Sequence, residues 1–269
     1  MFSRYIFPDK KTEKAATHQR LDRAARRQIA RHLPKGLCFP TAKEIIHFEG
    51  MNGPDGLASK KGAYIDEPYQ FIPPDFSDTR LLVCVKNHLY NLHEATKADN
   101  RVRMSFEAAW MAHMIVDGLS PPHHQPLKEQ LRELDNRELS ELKSRISRII
   151  TPGTNMKEFF ELNWKRMGPR GVGTNHVMFE AGVDFLLMPY TTKQLVTSLH
   201  CEDIKRAKNG EYISMFKKSV EYIDSYQMFE RYERDGWTEA LAHDVRDVMV
   251  PEMIKMISLG WLAGIYKGE

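Results

Sequence analysis

Cysteine is scarce in this chain: Cys38, Cys84 and Cys201 are the only three among 269 residues. An odd number cannot pair completely and no C-x-x-C spacing occurs, so a disulfide scaffold is excluded. An excess of one charge is also missing. Lys and Arg total 39 against 36 Asp and Glu, a net charge of +3, which gives no global electrostatic case for nucleic acid. Glycine and proline are too few for collagen or a low-complexity chain. Alternating period-2 patterns, internal repeats and a G-x-S-x-G motif are all absent, so neither a half-buried sheet nor a serine nucleophile is indicated. The first eleven residues contain no apolar stretch of signal-peptide length. The longest uncharged stretch near the end, residues 256–266, is too short to span a bilayer. The expectation is a chain without a transmembrane segment, cytoplasmic as written, or secreted if a leader was removed.

What the sequence does contain is helical periodicity. Apolar residues recur at helical spacing over 13–33, 41–49, 79–97, 103–117, 155–167, 174–188, 191–206, 211–233 and 237–264. Residues 126–150 carry six Lys/Arg and five Asp/Glu around Leu127, Leu131, Leu134, Leu139 and Leu142, the pattern of an amphipathic surface helix. From Gly50 to Asp78 the chain is rich in Gly, Pro and Asp and reads as a long loop. The expected fold is therefore all-α: a single multi-helix domain over 1–269, with a charged helical insertion at about 126–170. Residues 1–35 hold ten Lys/Arg and three Asp/Glu. They read as a solvated helix face, or as the one candidate basic track.

The 11 histidines carry the chemistry. An i,i+4 His/acid pair projects from one face of a helix and can grip one ion. Four such pairs occur: His18/Asp22, His113/Asp117, His176/Glu180 and His243/Asp247. The second lies in Ala-His113-Met-Ile-Val-Asp117-Gly-Leu-Ser-Pro121-Pro-His123-His124, where Gly118 and Pro121 break the helix and a third ligand type follows. Its flank (Trp110, Met111, Met114, Ile115, Val116) marks a buried helix, and a buried His and Asp require partners. Those partners are either a metal or each other. His243/Asp247 reads as a surface pair, Cys84 as a core residue, and the aromatic stretch Tyr222 to Trp237 as packing.

His113-x3-Asp117-x3-Pro121-x-His123 resembles the central signature of the zinc-dependent phospholipase C family, whose fold also serves the single-strand-specific zinc nucleases. Four other places agree, in family order: Thr17-His18, Gly62-Ala-Tyr-Ile-Asp66, Lys86-Asn-His88-Leu-Tyr-Asn, and Asn175-His176-Val-Met-Phe-Glu180. The resemblance implies two or three zinc ions. Asp66, His88, His113 and Asp117 would hold the first. His123, His176 and Glu180 would hold the second, and His18 with a bridging Asp117 the third. It further implies phosphodiester hydrolysis by metal-activated water, with Asp66 as ligand and proton acceptor. The substrate would be a phospholipid, with peripheral membrane contact, or a single-stranded nucleic acid or nucleotide. A non-catalytic, metal-stabilised interaction protein is the reading from another class.

This chain departs from the family pattern in three ways. The family's N-terminal tryptophan, which completes the third metal position, has no counterpart before Trp110. The motifs of the second site stand far apart, with most of the insertion between His123 and His176. Asp66 has rivals in Asp55, Asp75 and Asp78, as His123 has in His124 and His88 in His93.

Overall fold

The computed structural model describes residues 16–54, 70–127, 130, 133 and 153–266. Among these residues every regular element is helical and no strand occurs, as the periodicity predicts. The chain runs through α1 (Thr17–Ile29), α2 (Ala42–Ile46), α3 (Arg80–Lys97) and α4 (Arg101–Gly118). It continues through α5 (Met156–Met167), α6 (Val172–Leu187), α7 (Thr192–Leu195) and α8 (Cys201–Arg206). It then passes through α9 (Tyr212–Asp224), α10 (Met228–Asp235), α11 (Glu239–Asp244) and α12 (Val250–Tyr266).

Two helices that are apolar nearly all round form the centre. In α4 every residue from Ala108 to Gly118 is buried, and in α12 every residue from Met256 to Ile265. A helix with no polar face must be enclosed. Helices α3 and α4 form a hairpin through residues 98–100, where Asp99 adopts a left-handed backbone (φ 49°) and the Asn100 side chain caps α4 by accepting from the Arg103 N–H. Helix α12 crosses α1, α3 and α4. Its Trp261 indole donates to the Ala108 carbonyl at 2.9 Å. Gly260 lets Tyr212 come close, since a Cβ there would lie 2.9 Å from the phenol oxygen. One continuous apolar core results.

Short elements set the approach to the site. A capping box joins Thr41 and Glu44 at the start of α2. Arg101 donates to both oxygens of Glu44, at 2.6 and 2.8 Å. The Arg101 hydrogen bonds, with those of Thr41, pull the Glu44 carboxyl down to about 2. This clamp fixes α2 against the start of α4, and a single 3₁₀ turn, Gly50–Asn52, follows.

The structure breaks two segments that periodicity reads as continuous. Residues 191–206 divide into α7 and α8. Residues 211–233 divide at Gln227, which is left-handed (φ 48°) and leaves no Gly or Pro signal. The last segment starts at Glu239, capped by Thr238, and passes through a wide i→i+5 turn, Val245–Met249, before α12. The run Glu239–Tyr266 is long and apolar enough to cross a membrane, which reading residues 256–266 alone missed. However, 78 % of its apolar window is buried inside the protein, the condition of a core helix. The amphipathic helix expected over 126–150 lies almost wholly outside the described residues.

Gly182 on α6 sits against the indole of Trp237, and a Cβ there would come within 2.1 Å of it. That indole stacks on Phe179, one residue before Glu180 (5.3 Å between ring centroids). A rigid, part-buried ring cannot yield easily. Gly182→Ala should destabilise the protein by about 1–3 kcal/mol, read as a lower midpoint in thermal or urea unfolding. An unchanged midpoint would show that Trp237 is free to move.

Candidate metal centre

Three parts of the fold, far apart in sequence, converge on one buried polar cluster. Helix α1 supplies His18 from its first turn. Helix α4 supplies His113 and Asp117 from one face of its last two turns. There the helix ends, because Ser120 N–H bonds back to Asp117 and His123 N–H to Ser120, with Pro121 and Pro122 shaping the turn Pro121–His124. That turn points His123 back toward Asp117. The Ile72 N–H holds it from outside by donating to the His123 carbonyl at 3.1 Å. Helix α6 supplies His176 and Glu180. All six side chains are buried.

The donor atoms form two groups: His18, His113 and Asp117, and His123, His176 and Glu180. In the first, Asp117 Oδ1 lies 3.4 Å from His18 Nε2 and Oδ2 lies 3.3 Å from His113 Nε2. In the second, Glu180 Oε1 lies 3.1 Å from His123 Nε2 and 3.3 Å from His176 Nε2. His123 Nε2 is also 3.6 Å from Asp117 Oδ1, so the groups adjoin. All four imidazoles present Nε2. Ring packing fixes their planes: His18 stacks on His113 at 4.1 Å and 9°, and His123 meets His176 edge-on at 4.6 Å.

The donor set fits a divalent metal. Two ligand atoms about 2.0–2.1 Å from a tetrahedral zinc are about 3.3 Å apart. The first group's contacts match that spacing, and the second group's are close to it. Imidazole nitrogen and carboxylate oxygen suit zinc and its first-row neighbours. The electrostatics point the same way. Burial alone would push the Asp117 and Glu180 carboxyls upward. Both are nevertheless held well below the usual carboxylate range, with His113 and His123 close to Asp117 and His176 and His123 close to Glu180. Burial pushes His123 down to about 4, although Asp117 opposes this. Its imidazole is therefore neutral at pH 7, the form a metal needs.

Other expected residues lie elsewhere. His88 is in neither group: its Nδ1 meets Glu107 Oε2 at 2.5 Å, while Arg103 reaches the other oxygen of that carboxylate. Asp66 and its rival Asp55 lie outside the described residues. Asp75 and Asp78 bond locally, to Ser77 and Arg80. His124 turns away from the cluster, with Nδ1 3.3 Å from Asp224 and Nε2 3.1 Å from the Gly118 carbonyl. His243 and Asp247 pair at the surface.

Two acids outside the expected ligand sets lie beside the first group. Glu49 Oε2 is 3.2 Å from His113 Nδ1. Asp22, one turn beyond His18 on α1, is fully buried with neither carboxylate oxygen hydrogen-bonded among the described residues. Burial and then the neighbouring Glu49 push its carboxyl well above the usual range. The i,i+4 spacing from His18 was the one legible signal for Asp22; Glu49 had none. An open cavity of about 200 Å³, lined by Pro122, Gln125, Val172, His176, Phe229 and Glu233, reaches the second group at His176.

Comparison with protein-family models, curated proteins and solved structures finds no match for this chain.

Asp117 touches three imidazoles and is wholly buried, whereas Asp247 is 41 % exposed beside Arg246 and His243. Asp117→Asn should therefore lower stability by about 3–5 kcal/mol and reduce bound divalent metal. Asp247→Asn should change stability by less than about 1 kcal/mol. Calorimetry and elemental analysis of the two variants check this, and equal small effects would mean that Asp117 serves only as a core hydrogen-bonding group.

Proposed function

We propose that this chain is a zinc-dependent phosphoester hydrolase of the kind its motifs resemble, the zinc-dependent phospholipase C family. The observation that carries the reading is the convergence of four Nε2 atoms and two carboxylates into adjoining groups through Asp117. A structural zinc site is closed by four protein ligands, whereas a catalytic one keeps an open position. Among the described residues each group offers three, and a cavity opens on one of them, which favours catalysis over a purely structural, metal-stabilised interaction protein. His18, His113 and Asp117 would hold one ion and His123, His176 and Glu180 another. Bound zinc would supply Lewis-acid polarisation of a phosphoryl oxygen and a water acidic enough to ionise near neutral pH. The chain's own part is to hold the imidazoles in fixed planes beside the ligand carboxylates and to keep all six side chains buried, with a cavity reaching them at His176.

Between the two substrate classes, the surface favours phospholipid. Helix α5 turns Met156, Phe160 and Trp164 outward, 68 %, 62 % and 68 % exposed, together with Met167. Helix α6 and its C-cap add Val177, Met178, Phe185 and Met188. Most of the large apolar side chains exposed among the described residues are on these two helices. Tryptophan and phenylalanine along one face of a helix are the composition of an interfacial surface. Within the aromatic stretch Tyr222 to Trp237, Phe229, Tyr232 and Trp237 all pack on Phe179 rather than forming a stacking platform.

Two experiments test these readings. The first is elemental analysis with a soluble phosphodiester assay on His123→Ala and His124→Ala. The His123 variant should lose activity and about one zinc. The His124 variant should keep its metal while losing stability, because His124 pins the turn to Asp224 and Gly118. A wild-type protein holding less than one divalent metal per chain after zinc reconstitution would end the metal-centre reading. The second compares Phe160→Ser/Trp164→Ser with wild type. Hydrolysis of phospholipid in vesicles should fall several-fold while that of a soluble phosphodiester holds. A parallel loss on both substrates would remove the case for a lipid interface.

A further inference from the structure

Glu49 is a carboxylate placed where helix packing gives no reason for one. It is 3 % exposed and precedes the turn Gly50–Asn52, directly after α2. Its Oε1 makes no hydrogen bond among the described residues. Among the described residues its Oε2 meets only His113 Nδ1, at 3.2 Å. Burying a carboxylate costs several kcal/mol unless the partner is worth keeping. His113 is such a partner, because its other nitrogen faces Asp117 Oδ2 at 3.3 Å.

We infer that Glu49 is the positioning residue of the first ligand group. By accepting the Nδ1–H of His113, it selects the tautomer that leaves the Nε2 lone pair directed at the point where Asp117 and His18 converge. A neutral imidazole has one N–H. With Nδ1 bound to Glu49, that proton cannot sit on Nε2, where it would block a cation. The same bond stops the ring from flipping. It also reaches a second ligand: His18 lies flat on His113 at 4.1 Å, so a fixed plane for one ring is a fixed plane for both. A carboxylate behind a ligand imidazole raises its basicity as well as orienting it. The Glu44–Arg101 clamp on α2 sets where Glu49 can reach. The consequence for metal affinity rests on the metal-centre reading above, whereas the tautomer belongs to the protein alone.

The test uses the full chain with ¹⁵N-labelled histidine, in metal-free form and then titrated with cobalt(II). Long-range ¹H–¹⁵N spectra of metal-free wild type should show His113 protonated at Nδ1. Glu49→Gln keeps an acceptor oxygen and should retain that pattern, with cobalt affinity within a few-fold of wild type. Glu49→Leu removes the acceptor, so the tautomers should mix and cobalt affinity should fall about 10–100-fold. If the Leu variant does not fold, Glu49→Asp, which withdraws the acceptor by one methylene, takes its place with the same expectation. An unchanged tautomer and unchanged affinity without the acceptor would overturn the inference. So would a Gln variant that keeps the tautomer yet loses cobalt as completely as Leu, because Glu49 would then be a ligand itself. If wild type takes up no cobalt, the metal-centre reading fails, and the tautomer comparison still decides whether Glu49 positions His113.

Discussion

An ionised carboxylate at the centre of an apolar helical core is the constraint around which this structure is organised. Asp117 has no exposed surface, and imidazoles approach it from α1, α4 and the turn beyond α4. An isolated carboxylate in such a place would take up a proton. Each surrounding histidine is in turn held by something further out: ring stacking for His18, Glu49 for His113, Glu180 for His123. The polar cluster is thus a nested set of partners inside a shell of methionine, leucine and isoleucine. Elements that look unrelated, such as the Glu44–Arg101 clamp and the Ile72 bond to the His123 carbonyl, are needed because the inner groups tolerate little displacement.

How much of this could be read from the sequence depends on the reach of each signal. Helices were legible because α3, α4 and α12 carry long apolar patterns whose period is local. The cluster was legible where two donors share a helix face, as in His113-x3-Asp117 and His176-x3-Glu180, or follow a helix through a proline turn, as His123 does. The helix break at Gln227 was not, since a left-handed residue other than glycine leaves no compositional mark. Glu49 was invisible for a different reason. It reaches its partner across a 64-residue separation, and no spacing rule relates a loop carboxylate to a helix it meets only after folding. Asp22 had the right spacing from His18, but its burial and its nearness to Glu49 belong to the tertiary structure. His88 shows the converse: local residues that resemble a ligand motif, on a helix position that turns toward Glu107.

The outer surface of α5 and α6 has a different logic from the interior. Inward, α6 presents His176, Phe179, Glu180 and Val183. Outward, it presents Val177, Met178, Phe185 and Met188. A helix with both faces apolar or functional has no purely solvating side. Apolar side chains exposed in such a contiguous set mark an interaction surface more often than an ordinary solvent boundary. Residues of the buried cluster and exposed apolar side chains therefore share one element, and a shift of α6 against the core would alter both together.

The sequence separations inside the cluster also fix when it can exist. His123 meets Glu180 across 57 residues, and the Thr17 hydroxyl, beside His18, reaches Asp184 across 167. Contacts of such long loop closure form late in folding. During synthesis, α1 must wait, with His18 and Asp22 unmatched, until most of the chain has left the ribosome. The helical hairpin α3–α4 can form early from neighbouring residues, and so it carries a half-built polar site into the collapse. The docking of α6 closes the circle of charges. Until it docks, the acidic and imidazole groups of the other elements sit in an apolar setting without all of their partners, so helix content alone does not secure the site.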